Sequence, residues 1–183
     1  LMLIHTYGCA ANMTKCLEIC NKHDLLLIED TCESMGASWD GQKVGSFGIA
    51  SSFSSYYSHH ICTLEGGLVC TNDEELWRTM QSVRSHGWLR HLDTNSQIFQ
   101  QYSHLDPSFL FGHVGYNLRL SEPQAAMGIE QLNNLDIYVE SRRLVGQKYR
   151  SLLKSLDPCL KMQIPLPPSY SSYFGMPIIL SNV

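Results

Sequence analysis

At 183 residues and 20.7 kDa the chain is long enough to bury one sizeable hydrophobic core. Its 44% hydrophobic and 16% charged residues exclude an intrinsically disordered polymer, and charge this sparse predicts that further chain or a second subunit covers part of the surface. The net charge of −4, with no basic cluster beyond Arg142-Arg143, leaves no electrostatic footprint for a nucleic acid, and no apolar run is long enough to cross a membrane.

The seven cysteines are odd in number and irregularly spaced, with no Cys-x-x-Cys pair, which predicts a reduced, cytoplasmic protein. The start, Leu1-Met2-Leu3-Ile4, lacks the basic stretch of a signal peptide and reads as an internal part of a longer chain. The same four residues suit a buried strand. Asn12 is placed to cap a helix running to about His23, with Met13, Cys16, Leu17 and Cys20 along one stripe. A second apolar run, Leu25 to Ile28, ends in Glu29-Asp30 and reads as a parallel strand, so the opening is a βαβ unit.

Trp39-Asp40-Gly41 predicts a turn, and Ile49–Phe53 and Leu68–Thr71 predict two further strands. Between them lie a Ser/Tyr/His loop and Gly66-Gly67. Asn72 or Asp73 caps a helix whose apolar face is Leu76, Trp77, Met80 and Val83. From His86 to about Asn117 the periodicity is lost, and so long an irregular, aromatic-rich piece predicts a functional or interface role. Helices are expected again from Ser121 to about Leu132 and from Ile137 to Leu156, the latter ended by Asp157-Pro158. A proline-rich stretch then leads to a short strand over 176–180. The expected organisation is 1–136 as part of a large α/β domain, 137–156 as a connecting helix and 157–183 as the start of a small domain.

Reactive groups of open α/β domains collect beyond the carboxyl ends of strands. Asp30, Ser54 through His60, and His86 stand at such places. On residue type alone each has two readings. Asp30 serves as a loop acid or as an anion paired with a protonated nitrogen. Ser54, Ser55 and Ser58 are ordinary loop serines or phosphate ligands. His59-His60 is a packed pair or holds a general base, since imidazoles exchange protons near neutrality. No dinucleotide fingerprint, phosphate-binding lysine loop or nucleophile elbow is present, and no spacing supports a metal site.

Six segments in order carry a family resemblance: His5-Thr6-Tyr7-Gly8, Ile28 through Ala37, Gly45-Ser46-Phe47-Gly48, Glu65-Gly66-Gly67, Arg84 through Trp88, and Gly115 through Arg119 continuing to Gln124–Gly128. Through them almost the whole chain resembles the DegT/DnrJ/EryC1/StrS sugar aminotransferase and dehydratase family. Those are fold type I, aspartate aminotransferase-like three-layer α/β enzymes that use pyridoxal phosphate on nucleotide-linked keto sugars. The resemblance implies that Asp30 pairs with the pyridine nitrogen, that Ser54 binds the cofactor phosphate, and that Asn117 reaches the phosphate of the neighbouring subunit in a homodimer with a shared site.

The aminotransferases of the family place their aldimine lysine five residues after the phosphate serine. Here that position is His59, and the six lysines (15, 22, 43, 148, 154 and 161) lie elsewhere. Glu33 stands where the aminotransferases usually have glutamine. Both departures match the dehydratase branch, whose base is a histidine. That branch implies pyridoxamine phosphate bound without a covalent link, loss of the C3 oxygen from a 4-keto-6-deoxy nucleotide sugar, return of the amine from glutamate, and a place in deoxysugar and O-antigen synthesis. It places His59, Glu33 and His86 in the catalytic group, Glu33 also beside the cofactor, and Arg90 and Arg119 near a carboxylate or the nucleotide phosphates. An aminotransferase with its amine recruited from elsewhere, an inactive homologue and a metal module at His59-His60 are the competing expectations. An iron–sulfur cluster is disfavoured, because no cysteine falls between Cys70 and Cys159.

Overall fold

The computed structural model describes residues 1–90, 97–156 and 159–181. In chain order the elements are β1 (Met2–Ile4), α1 (Met13–His23), β2 (Ile28–Asp30), β3 (Ser38–Trp39), β4 (Gln42–Lys43), β5 (Ala50–Ser54) and β6 (Gly67–Thr71). They continue with α2 (Glu74–Arg84), α3 (Gln97–Gln101), α4 (Glu122–Asn133), α5 (Leu135–Leu153), β7 (Leu160–Met162), β8 (Ser169–Tyr170) and β9 (Ile178–Leu180). Two compact units emerge: residues 1–70 with 122–183, and residues 71–121.

The first unit is built on a sheet of order β1-β2-β5-β6, with β2 parallel to both β1 and β5. α1 begins at Asn12, whose side chain accepts a hydrogen bond from the Lys15 amide at 3.1 Å. It ends where Asp24 turns left-handed. Met13 and Cys20 of its inner stripe join Ala10, Leu27, Ala37, Trp39 and Val44 in the core.

β2 differs from its expectation. The strand is not Leu25–Ile28 but Ile28–Asp30, because pairing starts only at Ile28, whose amide donates to the Leu1 carbonyl at 2.9 Å. The amide of Leu25 still serves the end of α1, donating to Cys20. The strand runs on into two acids because Glu29, fully buried, is saturated with donors. Its Oε2 accepts from the Gly45 amide at 2.7 Å and lies 3.0 Å from His5 Nε2, while Oε1 accepts from the amides of Phe47 (2.7 Å) and Gly48 (2.8 Å). Burial raises the carboxyl pKa, but the bonds from His5, Gly45, Gly48 and Phe47 outweigh it and hold the group below its ordinary value.

The turn at Asp40-Gly41 is present, both residues having positive φ, and it joins the antiparallel strands β3 and β4. β8 pairs with the other edge of β3, Ser38 opposite Tyr170. These two-residue strands are absent from the sequence expectations, as is β7, which pairs with β9. α5 starts two residues earlier than expected and gives way to a 3-10 turn at Lys154–Leu156. The expected stop at Asp157-Pro158 lies outside the described residues.

In the second unit α2 is capped by Asp73, whose Oδ1 accepts from the Leu76 amide at 2.8 Å, with Glu74 and Glu75 in the favourable first turn. The stretch expected to be wholly irregular contains α3, whose Phe99 packs with Leu89 and Leu110. Gly87 has φ of +84°, and a Cβ there would overlap the His113 carbonyl, so only glycine fits this crossing.

Replacing Glu29 by Gln puts an amide donor among four donors. The expected loss is about 3–5 kcal/mol of folding stability, checked by denaturant titration of the protein. A variant as stable as the wild type would contradict the role given to this carboxylate.

Candidate active site

β2 and β5 end side by side, with Asp30 opposite Ser52 and the Thr31 amide donating to the Ser52 carbonyl at 2.9 Å. This brings Asp30 and Ser54 to the carboxyl ends of adjacent parallel strands, where α/β domains bind ligands. Asp30 is half-buried. Its Oδ1 accepts from the Cys32 amide at 3.0 Å and from the Ser52 hydroxyl at 3.3 Å. Burial pushes its pKa up, but the bonds from Cys32 and Ser52 push it down further, so the carboxyl stays ionised below its ordinary range. The neighbouring Cys32 thiol is raised to about 11 by burial and by Asp30, which keeps it protonated and unreactive.

Ser54 Oγ accepts from the Tyr56 amide at 3.2 Å, a bond that does not use its own O–H, and among the described residues that O–H is available to donate to a ligand. A tight turn follows, the His59 amide donating to the Tyr56 carbonyl at 2.9 Å. The loop closes at its base through the Ser55–Thr63 hydroxyl pair at 2.6 Å and the Ser55 amide to the Gly66 carbonyl at 3.0 Å. From α4, Gln131 accepts from the Cys62 amide at 2.9 Å and Gln124 donates to the Glu65 carbonyl at 2.6 Å. His59 is thus presented on a loop fastened at both ends.

The His59 Nδ1 atom is buried without a hydrogen-bond partner among the described residues. Its ring lies 5.0 Å from that of Phe174 and 6.0 Å from that of Tyr56. A buried, unpartnered imidazole nitrogen is costly unless a ligand completes it. His60 behaves differently. Its Nε2 lies 3.1 Å from the Ser172 carbonyl, and burial, assisted by Arg142 and His59, pushes its pKa down to about 4 despite that bond. His60 is therefore the packed member of the pair. Among the described residues no group of three His, Cys, Asp or Glu side chains is placed to hold a metal. Glu33 accepts from the Tyr7 amide at 2.8 Å and anchors the turn after β1.

The other expected site residues gather inside the second unit, around Trp88. The Arg90 guanidinium lies 3.7 Å above the Trp88 ring and donates to the Ser108 carbonyl at 3.3 Å. The His86 ring meets Trp88 edge-on at 5.2 Å, and Arg119 lies 3.4 Å from His86 Nε2 while donating to Asn117 Oδ1 at 3.3 Å. Asn117 is bridged to Ser85 across the loop. His86, Arg90, Asn117 and Arg119 thus form one cluster, and Asp30, Glu33, Ser54 and His59 belong to the first unit.

The residues alone give Glu29 no role beyond ending a strand and His5 none beyond that of a packed or capping side chain. His5 Nδ1 accepts from the Ala11 amide at 3.1 Å, so its Nε2 carries the proton given to Glu29. Phe174 was also missed: one aromatic in a loop 115 positions after His59 carries no local signal.

The whole chain, residues 1–183, matches the DegT/DnrJ/EryC1/StrS aminotransferase family, and the chain belongs to that family. It is 38% identical over 185 residues to the GDP-4-keto-6-deoxy-D-mannose 3-dehydratase of Yersinia pseudotuberculosis, covering 100% of this chain and 46% of the relative. A structure of the Escherichia coli GDP-4-keto-6-deoxy-D-mannose-3-dehydratase with bound hydrated PLP superposes with a TM-score of 0.88 at 35% identity, covering 98% of this chain and 46% of that one. A structure of GDP-4-keto-6-deoxymannose-3-dehydratase with a trapped PLP-glutamate geminal diamine matches equally, with a TM-score of 0.88, 35% identity, and coverage of 98% and 47%. The chain spans about half the length of these relatives, and it has the fold type I, aspartate aminotransferase-like α/β fold.

The depressed pKa of His60 has a signed consequence. Between pH 6.5 and about 4 the unfolded chain takes up a proton that the folded one refuses, so stability falls as pH drops through that window, by roughly 3 kcal/mol in all. Denaturant titrations of the protein from pH 7 to 5 should show this slope, and H60Q should flatten it. An equal slope in both proteins would contradict the assignment.

Proposed function

We propose that this member of the family is a 3-dehydratase that uses pyridoxal and pyridoxamine phosphate to remove the C3 oxygen of a nucleotide-linked 4-keto-6-deoxy sugar, with glutamate restoring the amine. The observation that carries the reading is His59: an imidazole, not a lysine, follows Ser54 by five residues, and its Nδ1 is buried without a partner among the described residues. The residues present fit the cofactor, since an ionised Asp30, the O–H of Ser54 and that nitrogen are the donor and acceptor set it needs.

When bound, pyridoxamine phosphate supplies an amine for the sugar's C4 ketone and an electron-accepting ring. Asp30 keeps a proton on the ring nitrogen, because an ionised carboxylate in a half-buried site favours the protonated base. Ser54 donates to the phosphate, and Asn117 of a second copy is assigned to the same group. With the cofactor bound, His59 would be the group that accepts the proton of the carbon bearing the amine and returns it to the departing C3 oxygen. One imidazole can fill both roles, because the nitrogen that accepts a proton as base can donate it as acid. Glu33, in the turn after β2, and His86 are assigned to the catalytic group by resemblance to the family. Arg90 and Arg119 present guanidinium forks suited to a pyrophosphate or to the carboxylates of glutamate.

The GDP-linked sugar named for the relatives is the substrate to test first. The wider proposal is a cytoplasmic homodimer in deoxysugar synthesis, with residues 1–136, 137–156 and 157–183 forming the large-domain portion, the connecting helix and the start of the small domain. Among the described residues no helix is long and apolar enough to cross a membrane.

Full-length protein given a 4-keto-6-deoxy nucleotide sugar, cofactor and glutamate should release a product lacking the C3 oxygen, identified by mass. A product with an amino group at C4 would overturn the proposal. H59N should lower kcat for deoxygenation about 10²–10⁴-fold, the usual worth of a general base. An undiminished rate would remove His59 from the chemistry.

A further inference from the structure

We infer that Phe174 is a positioning residue for the His59 imidazole, held in place by Arg142 of α5 and by the close seat of Tyr173 on Gly146. The inference rests on the reading of His59 as the proton carrier and adds what aims it. With no hydrogen-bond partner at Nδ1 among the described residues, the orientation of the ring falls to its aromatic contacts. Of the two rings that meet it, that of Phe174 is the nearer, tilted at 45° with centroids 5.0 Å apart, and the same ring lies 5.8 Å from that of His60. A half-buried aromatic face set against both imidazoles limits the rotamers open to either.

The segment carrying Phe174 is fixed from several directions. Arg142 Nη1 donates to the carbonyls of Tyr173 (3.4 Å) and Phe174 (3.2 Å), and Arg143 Nη1 donates to that of Ser171 (3.4 Å). The Ser172 amide donates to the Gly8 carbonyl at 2.9 Å, while the Ser172 carbonyl faces His60 Nε2. Ser171 and Ser172 are fully buried. Tyr173 has φ of +47°, a left-handed conformation that a tyrosine keeps only where its surroundings impose it. That turn lays the Tyr173 ring on α5 at Gly146, where a Cβ would stand 2.5 Å from ring carbons. Gly8 is equally confined, for a Cβ there would collide with the Tyr173 and Phe174 amides. The segment therefore has no slack, and a displacement of Tyr173 is passed to Phe174 and from there to His59.

The test uses full-length protein labelled with 13C,15N-histidine, the His59 ring signals being assigned by their loss in H59N. In cofactor-free protein, F174L should move the His59 ring-proton shifts by removing the aromatic ring current. It should also lower kcat for deoxygenation about tenfold or more with KM unchanged, as misplacement of a reacting group does. F174Y, which keeps the ring, should restore both. G146A, in a helix that favours alanine, should move the same signals without touching His59. Unmoved His59 signals in F174L would overturn the inference. If F174L does not fold, unmoved signals in G146A overturn it instead. Should the wild type not deoxygenate, the proposed function fails, while the ring signals still decide the role of Phe174.

Discussion

One buried carboxylate organises the first unit. Glu29 draws the side chain of His5 at the end of β1 and three amides of the Gly45–Gly48 turn onto its two oxygens. Buried in isolation such a charge would be strongly destabilising, but four donors repay its lost hydration and hold it ionised. His5 is committed in turn, with one ring nitrogen accepting from Ala11 and the other donating to Glu29. Successive strand residues point to opposite faces, so an inward Glu29 fixes the direction of Asp30. The geometry of the ligand-facing carboxylate is inherited from the one behind it.

The loop after β5 follows the same logic with weaker bonds. Ser55 and Thr63 close it, Gln124 and Gln131 reach it from α4, and the segment from Ser171 to Gly175 lies against its two histidines. The two imidazoles are adjacent in sequence yet differ in kind. Both keep a buried Nδ1 that the described residues do not satisfy, but His60 commits its Nε2 to the Ser172 carbonyl and is kept neutral by burial. His59 has no such backbone contact among the described residues, and that difference separates a structural histidine from one available for proton transfer.

Much of this was readable in the residues. The caps at Asn12 and Asp73 stand where the polar residue precedes the apolar stripe, because capping is a local interaction. The βαβ opening and the turn at Asp40-Gly41 are likewise local. β2 was misplaced because the run Leu25–Leu27 is apolar, while the pairing that defines the strand is with distant Leu1 and distant donors to Glu29. The strands β3, β4 and β8 hold two residues each, too few for any periodicity to register. At the site, composition left Asp30, Ser54 and His59 with two readings apiece, and only the order of the family segments, with histidine at the lysine position, separated them. Phe174 meets His59 across 115 positions and Arg142 holds Phe174 across 32, a kind of information that a single sequence does not display locally.

The most direct measurement is a crystal structure of the full-length protein with pyridoxamine phosphate bound. The account predicts the ring nitrogen on Asp30, the phosphate on Ser54, and the His59 imidazole within about 3–3.5 Å of the carbon that bears the amine, as a near-attack geometry requires. A lysine amine in that place, or a His59 ring turned away from the cofactor, would contradict it.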